Sequence, residues 1–234
     1  MKRPLLAVLL ALSLPAAAGD FSSLGSLDQG QFRRLSEDLG AALSYKGVTP
    51  ATPLGLAGFD IGLEVSATDI RHADLFRLAG SGSPDFITVP KLHAYKGLPF
   101  GIDVGAFLGA ASDVGATVFG LDTRYALVAD GLALPAVALR VSGTRTAGMG
   151  ALKVSTIAGD LMISKKLTIA TPYAGVGLVR TISEAGGAGL ADEDFRSSRL
   201  FAGLNVNFAL LNLAIEAERL GSNTTLSAKA GWRF

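Results

Sequence analysis

Asn223-Thr-Thr-Leu-Ser-Ala-Lys-Ala-Gly-Trp-Arg-Phe234 is the stretch whose reading decides the fold. Side chains of an extended chain alternate between two faces, so Leu226, Ala228, Ala230, Trp232 and Phe234 share one side, and Ser227, Lys229, Gly231 and Arg233 the other. One face is apolar and ends in a free aromatic carboxyl terminus. Termini fray in water, and an aromatic tip gains nothing there unless something covers it. Lipid is a cover that suits a one-sided apolar strand.

The same alternation recurs from Gly58 onward. Phe59, Ile61, Leu63 and Val65 oppose Asp60, Gly62, Glu64 and Ser66; Phe100, Ile102, Val104, Ala106 and Leu108 oppose Gly101, Asp103 and Gly105. Phe119, Leu121, Tyr125 and Leu127 oppose Asp122 and Arg124; Val137, Leu139 and Val141 oppose Arg140 and Ser142; Ile157, Leu161 and Ile163 oppose Thr156 and Asp160. Val176 and Leu178 oppose Gly175 and Gly177, Leu200 to Phe208 repeats the pattern against Arg199, and Leu211, Leu213 and Ile215 oppose Glu216 and Glu218. Phe86 to Tyr95 alternates less cleanly, because Pro90 lacks a ladder donor and predicts a bulge. With the final segment this makes about ten strands of about ten residues, the length a tilted membrane strand needs. The expected fold is all-β: a transmembrane antiparallel up-and-down β-barrel of about ten strands. Twelve is the alternative if Ala41 to Lys46 and part of an outer loop also pair. A soluble sandwich would bury its apolar faces together and leave fewer glycines and charges opposite them.

Ahead of the barrel the chain reads differently. Lys2 and Arg3, an apolar run from Leu5 to Leu14, Pro15 and Ala16-Ala17-Ala18 form a secretory signal peptide with cleavage expected after Ala18, the run being too short to span a bilayer. Phe32, Leu35, Leu39 and Leu43 then recur at helical spacing among Arg33, Arg34, Glu37 and Asp38, predicting an amphipathic helix within Leu27 to Leu43. Ser44 to Ala57, with Pro50 and Pro53, reads as an irregular connection. The expected organisation is signal peptide 1–18, a helical and irregular segment 19–57 that lies in the periplasm, plugs the barrel or stays exposed, and a barrel over 58–234. Hydrophobic residues make up 49% of the chain, yet no segment after the leader is an uninterrupted apolar helix, so the hydrophobicity is spread over short strands. The absence of cysteine excludes disulfides in an exported chain, and a net charge of +1 gives no electrostatic case for a nucleic-acid partner.

The last strand resembles the C-terminal signal of Gram-negative outer-membrane β-barrels, carried here by Leu226, Trp232 and Phe234. That resemblance implies the outer membrane as location, outer-membrane lipid and lipopolysaccharide as surroundings, and the barrel assembly machinery as a partner in biogenesis. A second resemblance covers about Leu27 to Val65. The helical leader, the proline-containing link and Gly58-Phe-Asp-Ile-Gly62 look like the start of the long-chain fatty-acid transporter family, which implies a plug and passage of hydrophobic compounds.

Connections near Lys96-Gly97, Ala129-Asp130, Lys165-Lys166 and Leu210 read as short and periplasmic; Arg71 to Asp85 and Ser183 to Ser198 read as long outer loops. Facing inward are Asp60, Glu64, Asp103, Asp122, Arg124, Arg140, Asp160, Arg199, Glu216, Glu218, Lys229 and Arg233. They form either a polar pore lining or a salt-bridged lumen that holds the barrel up. Because about eight strands are just filled by side chains, about ten leave at most a slim path, which favours the second. Catalysis would need a nucleophile beside a base. The only histidines, His72 and His93, fall at different levels, and Asp69, Asp74, Ser81 and Ser83 are the residues that could join His72. No catalytic set, metal site or cofactor motif is expected; Ala191-Asp-Glu-Asp194 lacks the ligand spacing of a calcium loop. Three functions follow: a narrow pore or transporter for small solutes or hydrophobic compounds, a structural or surface-interaction barrel, and, least of all, a lipid-modifying enzyme.

Overall fold

The computed structural model describes residues 19–131 and 133–234, so the expected signal peptide, 1–18, lies outside the described residues. A helix α1 (Gln29–Leu43) precedes ten strands: β1 (Phe59–Asp69), β2 (Phe86–Gly97), β3 (Ile102–Ala111), β4 (Ala116–Val128), β5 (Ala136–Ala147), β6 (Leu152–Ser164), β7 (Ala170–Ala185), β8 (Glu193–Phe208), β9 (Leu211–Leu220) and β10 (Asn223–Arg233). A short helix α2 (Ala73–Leu78) sits between β1 and β2. Each strand pairs antiparallel with the next and β1 pairs with β10, closing a ten-stranded barrel. Ala41 to Lys46 forms the end of α1 and an irregular turn rather than a strand, which excludes the twelve-stranded alternative.

The period of two sets the two faces. Outward-facing Ile61, Leu63, Leu139, Ile157, Leu178, Leu213, Leu226 and Trp232 are exposed, while the residues between them are buried. At the closing seam, Phe59 and Phe234 exchange backbone N–H···O bonds of 2.9 and 3.0 Å, and their rings meet edge to face with centroids 4.2 Å apart. This marks one end of the barrel, the terminal end. The other, the loop end, carries the β1–β2 connection.

Two expectations change. Pro90 sits in β2 opposite Val65 without a register shift, and pairing of β2 with β3 begins at the next residue, Lys91. The ladder on that side stops before the missing donor would matter. The uneven alternation has another cause: Ile87 and Val89 point inward and are buried, so this end of β2 is apolar on its inner face. The expected long loop over Ser183 to Ser198 is mostly strand. β7 and β8 pair from Ala170↔Val206 to Ser183↔Glu193, leaving only 186–192 as the connection. Polar residues there occupy both faces of strands that run past the apolar band, and composition alone made them resemble a loop. Among the connections at the loop end, only β1–β2 is long.

Candidate functional site

The site is the lumen, and the protein's own N-terminal segment fills it. Asp28 caps α1 by accepting the Gln31 backbone N–H, and the Gln31 side chain accepts the Asp28 N–H in return, a capping box that fixes where the helix starts. Phe32, Leu35, Leu39 and Leu43 are buried, and α1 touches β1, β2, β6, β7, β8 and β10, partners distributed around the ring. Gly40 makes this approach possible: a Cβ there would lie 2.5 Å from the Thr181 hydroxyl on β7.

Two environments follow along the barrel. Towards the loop end, Phe32, Leu35 and Leu39 pack with inward-facing Ile87, Val89, Val118, Leu152 and Val154, while Phe21, Leu24 and Leu27 pack with Leu75 and Phe76 of α2 across the mouth. Below α1 the filling turns ionic. Asp160 receives both Arg140, at 2.9 Å, and Arg199, at 3.2 Å; Arg199 Nε is 3.1 Å from Glu218, which also faces Lys46 Nζ at 3.6 Å. Arg199 additionally donates to the Tyr45 carbonyl, 2.9 Å. The Tyr45 hydroxyl donates to Asp122, 2.7 Å, and meets the Tyr95 hydroxyl at 2.7 Å. Arg124 binds Asp103 at 2.6 Å and the Pro50 carbonyl at 2.5 Å, and also reaches the Thr49 hydroxyl. Glu64 pairs with Lys91, and Asp60 collects Lys229 at 2.7 Å, His93 at 3.1 Å and Arg233 at 3.7 Å.

All twelve charged residues expected in the lumen therefore point inward, and all but Arg233 are buried. Glu216 lies across from Gly203, which is overlaid by the Tyr173 ring. Sequence reading missed Lys91, Tyr45, Tyr95 and above all Lys46, and it named His93 without placing it in the lumen. The inward position of Lys91 follows from alternation once Pro90 is admitted to the strand, but Lys46 lies in irregular chain, where no period applies. Leu226, Trp232 and Phe234 face outward and are exposed.

His72 and His93 are apart, on the loop-end connection and within the lower network. His72 does not use the neighbours expected of it. Its Nδ1 lies 3.2 Å from Asp38 on α1, and the same carboxylate accepts the His72 backbone N–H, 2.9 Å, and the Asn223 side-chain N–H, 2.7 Å. Ser83 donates instead to the Ala73 carbonyl. The pair thus ties α1 to β10 and to the β1–β2 connection. The acidic run is likewise engaged: Glu193 meets Gln29 and Arg33 of α1, and Asp194 pairs with Arg180.

No protein-family model matches the chain, and no curated protein matches it. Among solved structures it is similar to the translocator domain of the autotransporter NalP from Neisseria meningitidis, at 14% identity over 93% of this chain and 100% of that one, with a TM-score of 0.41. It is also similar to the N-terminal β-barrel domain of Pseudomonas aeruginosa OprF (12% identity, 74% and 97% covered, TM-score 0.39). A third is the KdgM porin (7% identity, 75% and 99% covered, TM-score 0.39).

Proposed function

We propose that this chain is an outer-membrane β-barrel held shut by its own N-terminal segment, a structural or surface-interaction barrel that does not conduct at rest. The observation that supports this reading is the ionic collar around Tyr45 to Pro50, where Arg199 on β8 and Asp122 and Arg124 on β4 each hold the segment by hydrogen bonds. A ring of ten strands has somewhat more room than the side chains of eight would fill, and here the extra room is taken by chain. Passage of small solutes or hydrophobic compounds then requires the segment to move, breaking several buried charge-assisted bonds together. The reading includes no enzymatic role, the Asp38–His72 pair serving as a tie between elements. The outer membrane as location rests on the secretory leader and on a final strand that is apolar outside and aromatic at its tip. Planar-bilayer recording tests the sealed state. Wild-type protein is expected to give no steady conductance, and a variant lacking 28–50 to give conductance steps; steady steps from wild-type protein would overturn the reading.

A further inference from the structure

The outward apolar band ends differently at its two edges. At the terminal end stand aromatics: Phe59, Tyr125, Phe208, Trp232 and Phe234. At the loop end five consecutive strands each place a cation on the outer face: Arg145 on β5, Lys153 on β6, Arg180 on β7, Arg196 on β8 and Arg219 on β9. The other strands show Asp69, Thr88, Ala110, Thr117 and Thr224 at that edge, so the cations form an arc over half the circumference. Arg180 and Arg196 are direct register partners, an arrangement of like charges that is unfavourable without a counter-ion. Asp194 supplies one for Arg180. The side chains of Arg145, Lys153 and Arg196 make no hydrogen bond or ion pair with any described residue.

Beneath two of these cations the outer surface is hollow. Gly143 on β5 lies between its register partners Leu121 on β4 and Ile157 on β6, and its missing side chain leaves a groove of about 470 Å³ walled by Phe119, Leu121 and Ile157. Arg145 is the next outward residue after Gly143 on the same strand, directly opposite Phe119; Lys153 is diagonal to it across the β5–β6 ladder. Glu184, the register partner of Lys153, is the acidic group at the rim. A largely apolar groove thus opens beneath two cations whose side chains form no ion pair among the described residues, with Glu184 beside Lys153.

We propose that this outer face between β4 and β6 is a binding site for a phosphorylated lipid, its acyl chain lying over Gly143 and its phosphate between Arg145 and Lys153, with Arg180, Arg196 and Arg219 continuing the contact along the membrane surface. Charge complementarity selects that occupant. A neutral lipid would fill the slot and leave the cations unsatisfied, whereas a phosphate accepts charge-assisted bonds from both. The site builds on the membrane location proposed above and requires the loop end to face a leaflet rich in phosphorylated lipid.

Native mass spectrometry of the full barrel in neutral detergent, titrated with bisphosphorylated lipid A or with its dephosphorylated form, tests it. Wild-type protein is expected to retain the phosphorylated lipid at least about tenfold better. Arg145→Gln with Lys153→Gln is expected to abolish that preference, and Gly143→Leu, which fills the slot, to weaken both lipids; Lys166→Gln, at the terminal end, is expected to change neither. Heat-modifiable migration on a gel checks that each variant is folded. Equal retention of the two lipids by wild-type protein, or an undiminished preference in the double variant, would overturn the proposal. Detergent removes any dependence on orientation or conductance, so this result stands apart from the bilayer recording.

Discussion

The two halves of the lumen hold the same segment by opposite chemistry. Around α1 the filling is mainly aliphatic and aromatic, Asp38 with His72 and Asn223 being the polar exception, and a small loss of volume can be met by neighbours closing in. Around Tyr45 to Pro50 it consists of discrete ion pairs and hydrogen bonds that are either made or broken. Removing one partner there leaves another charge buried and uncompensated, so the lower half should be the less forgiving.

The largest expected effect is that of Arg199→Ala, which takes the shared partner from Asp160 and Glu218 and a donor from the Tyr45 carbonyl. We expect a loss of about 3–5 kcal/mol, measured as equilibrium unfolding in lipid vesicles. Next is Leu35→Ala, fully buried on α1, at about 2–5 kcal/mol and towards the lower end if the helix settles into the space. A larger loss for Leu35 than for Arg199 in the same assay would reverse the comparison and make the apolar half the stronger seal. Tyr45→Phe removes one hydroxyl from between Asp122 and Tyr95 and is expected to cost about 1–3 kcal/mol while raising single-channel openings in bilayer recordings. Unaltered closure would show that the remaining collar holds alone. The smallest effect on stability is expected from Phe234→Ala, outside both halves: less than about 1 kcal/mol on refolding, because lipid and headgroups cover the exposed edge. If the last strand serves as the assembly signal it resembles, the same substitution is expected to lower the amount reaching the outer membrane in cells. Equal levels at low expression would count against that.

The asymmetry also explains what the sequence made legible. Strands with charge inside and apolar residues outside, such as β1, β3 and β9, were found by period two alone, together with their lumenal residues. β2 blurred because Ile87 and Val89 face the aliphatic filling. β7 and β8 were cut short because above the lipid their two faces no longer differ in polarity. The helix was evident from Phe32, Leu35, Leu39 and Leu43, but its place was not: an amphipathic helix needs an apolar neighbour, and the matching inward patch lies scattered over β2, β4 and β6. The seat of Lys46, in irregular chain, had no periodic signal: its amine bonds to the Ala41 and Ser44 carbonyls, and its acidic partner, Glu218, lies more than a hundred residues away.

The seam between β1 and β10 has one further consequence. The segment that fills the ring precedes β1 in the chain, whereas the ring closes only when the last strand arrives. An α-helix with its side chains is about 10–12 Å across, and laying it against the inner face of an open sheet avoids threading it past the inward side chains of a closed ring. The expected order is that the segment lies against the open sheet before the final strand docks. In that order, the segment ahead of β1 is enclosed by the arrival of β10.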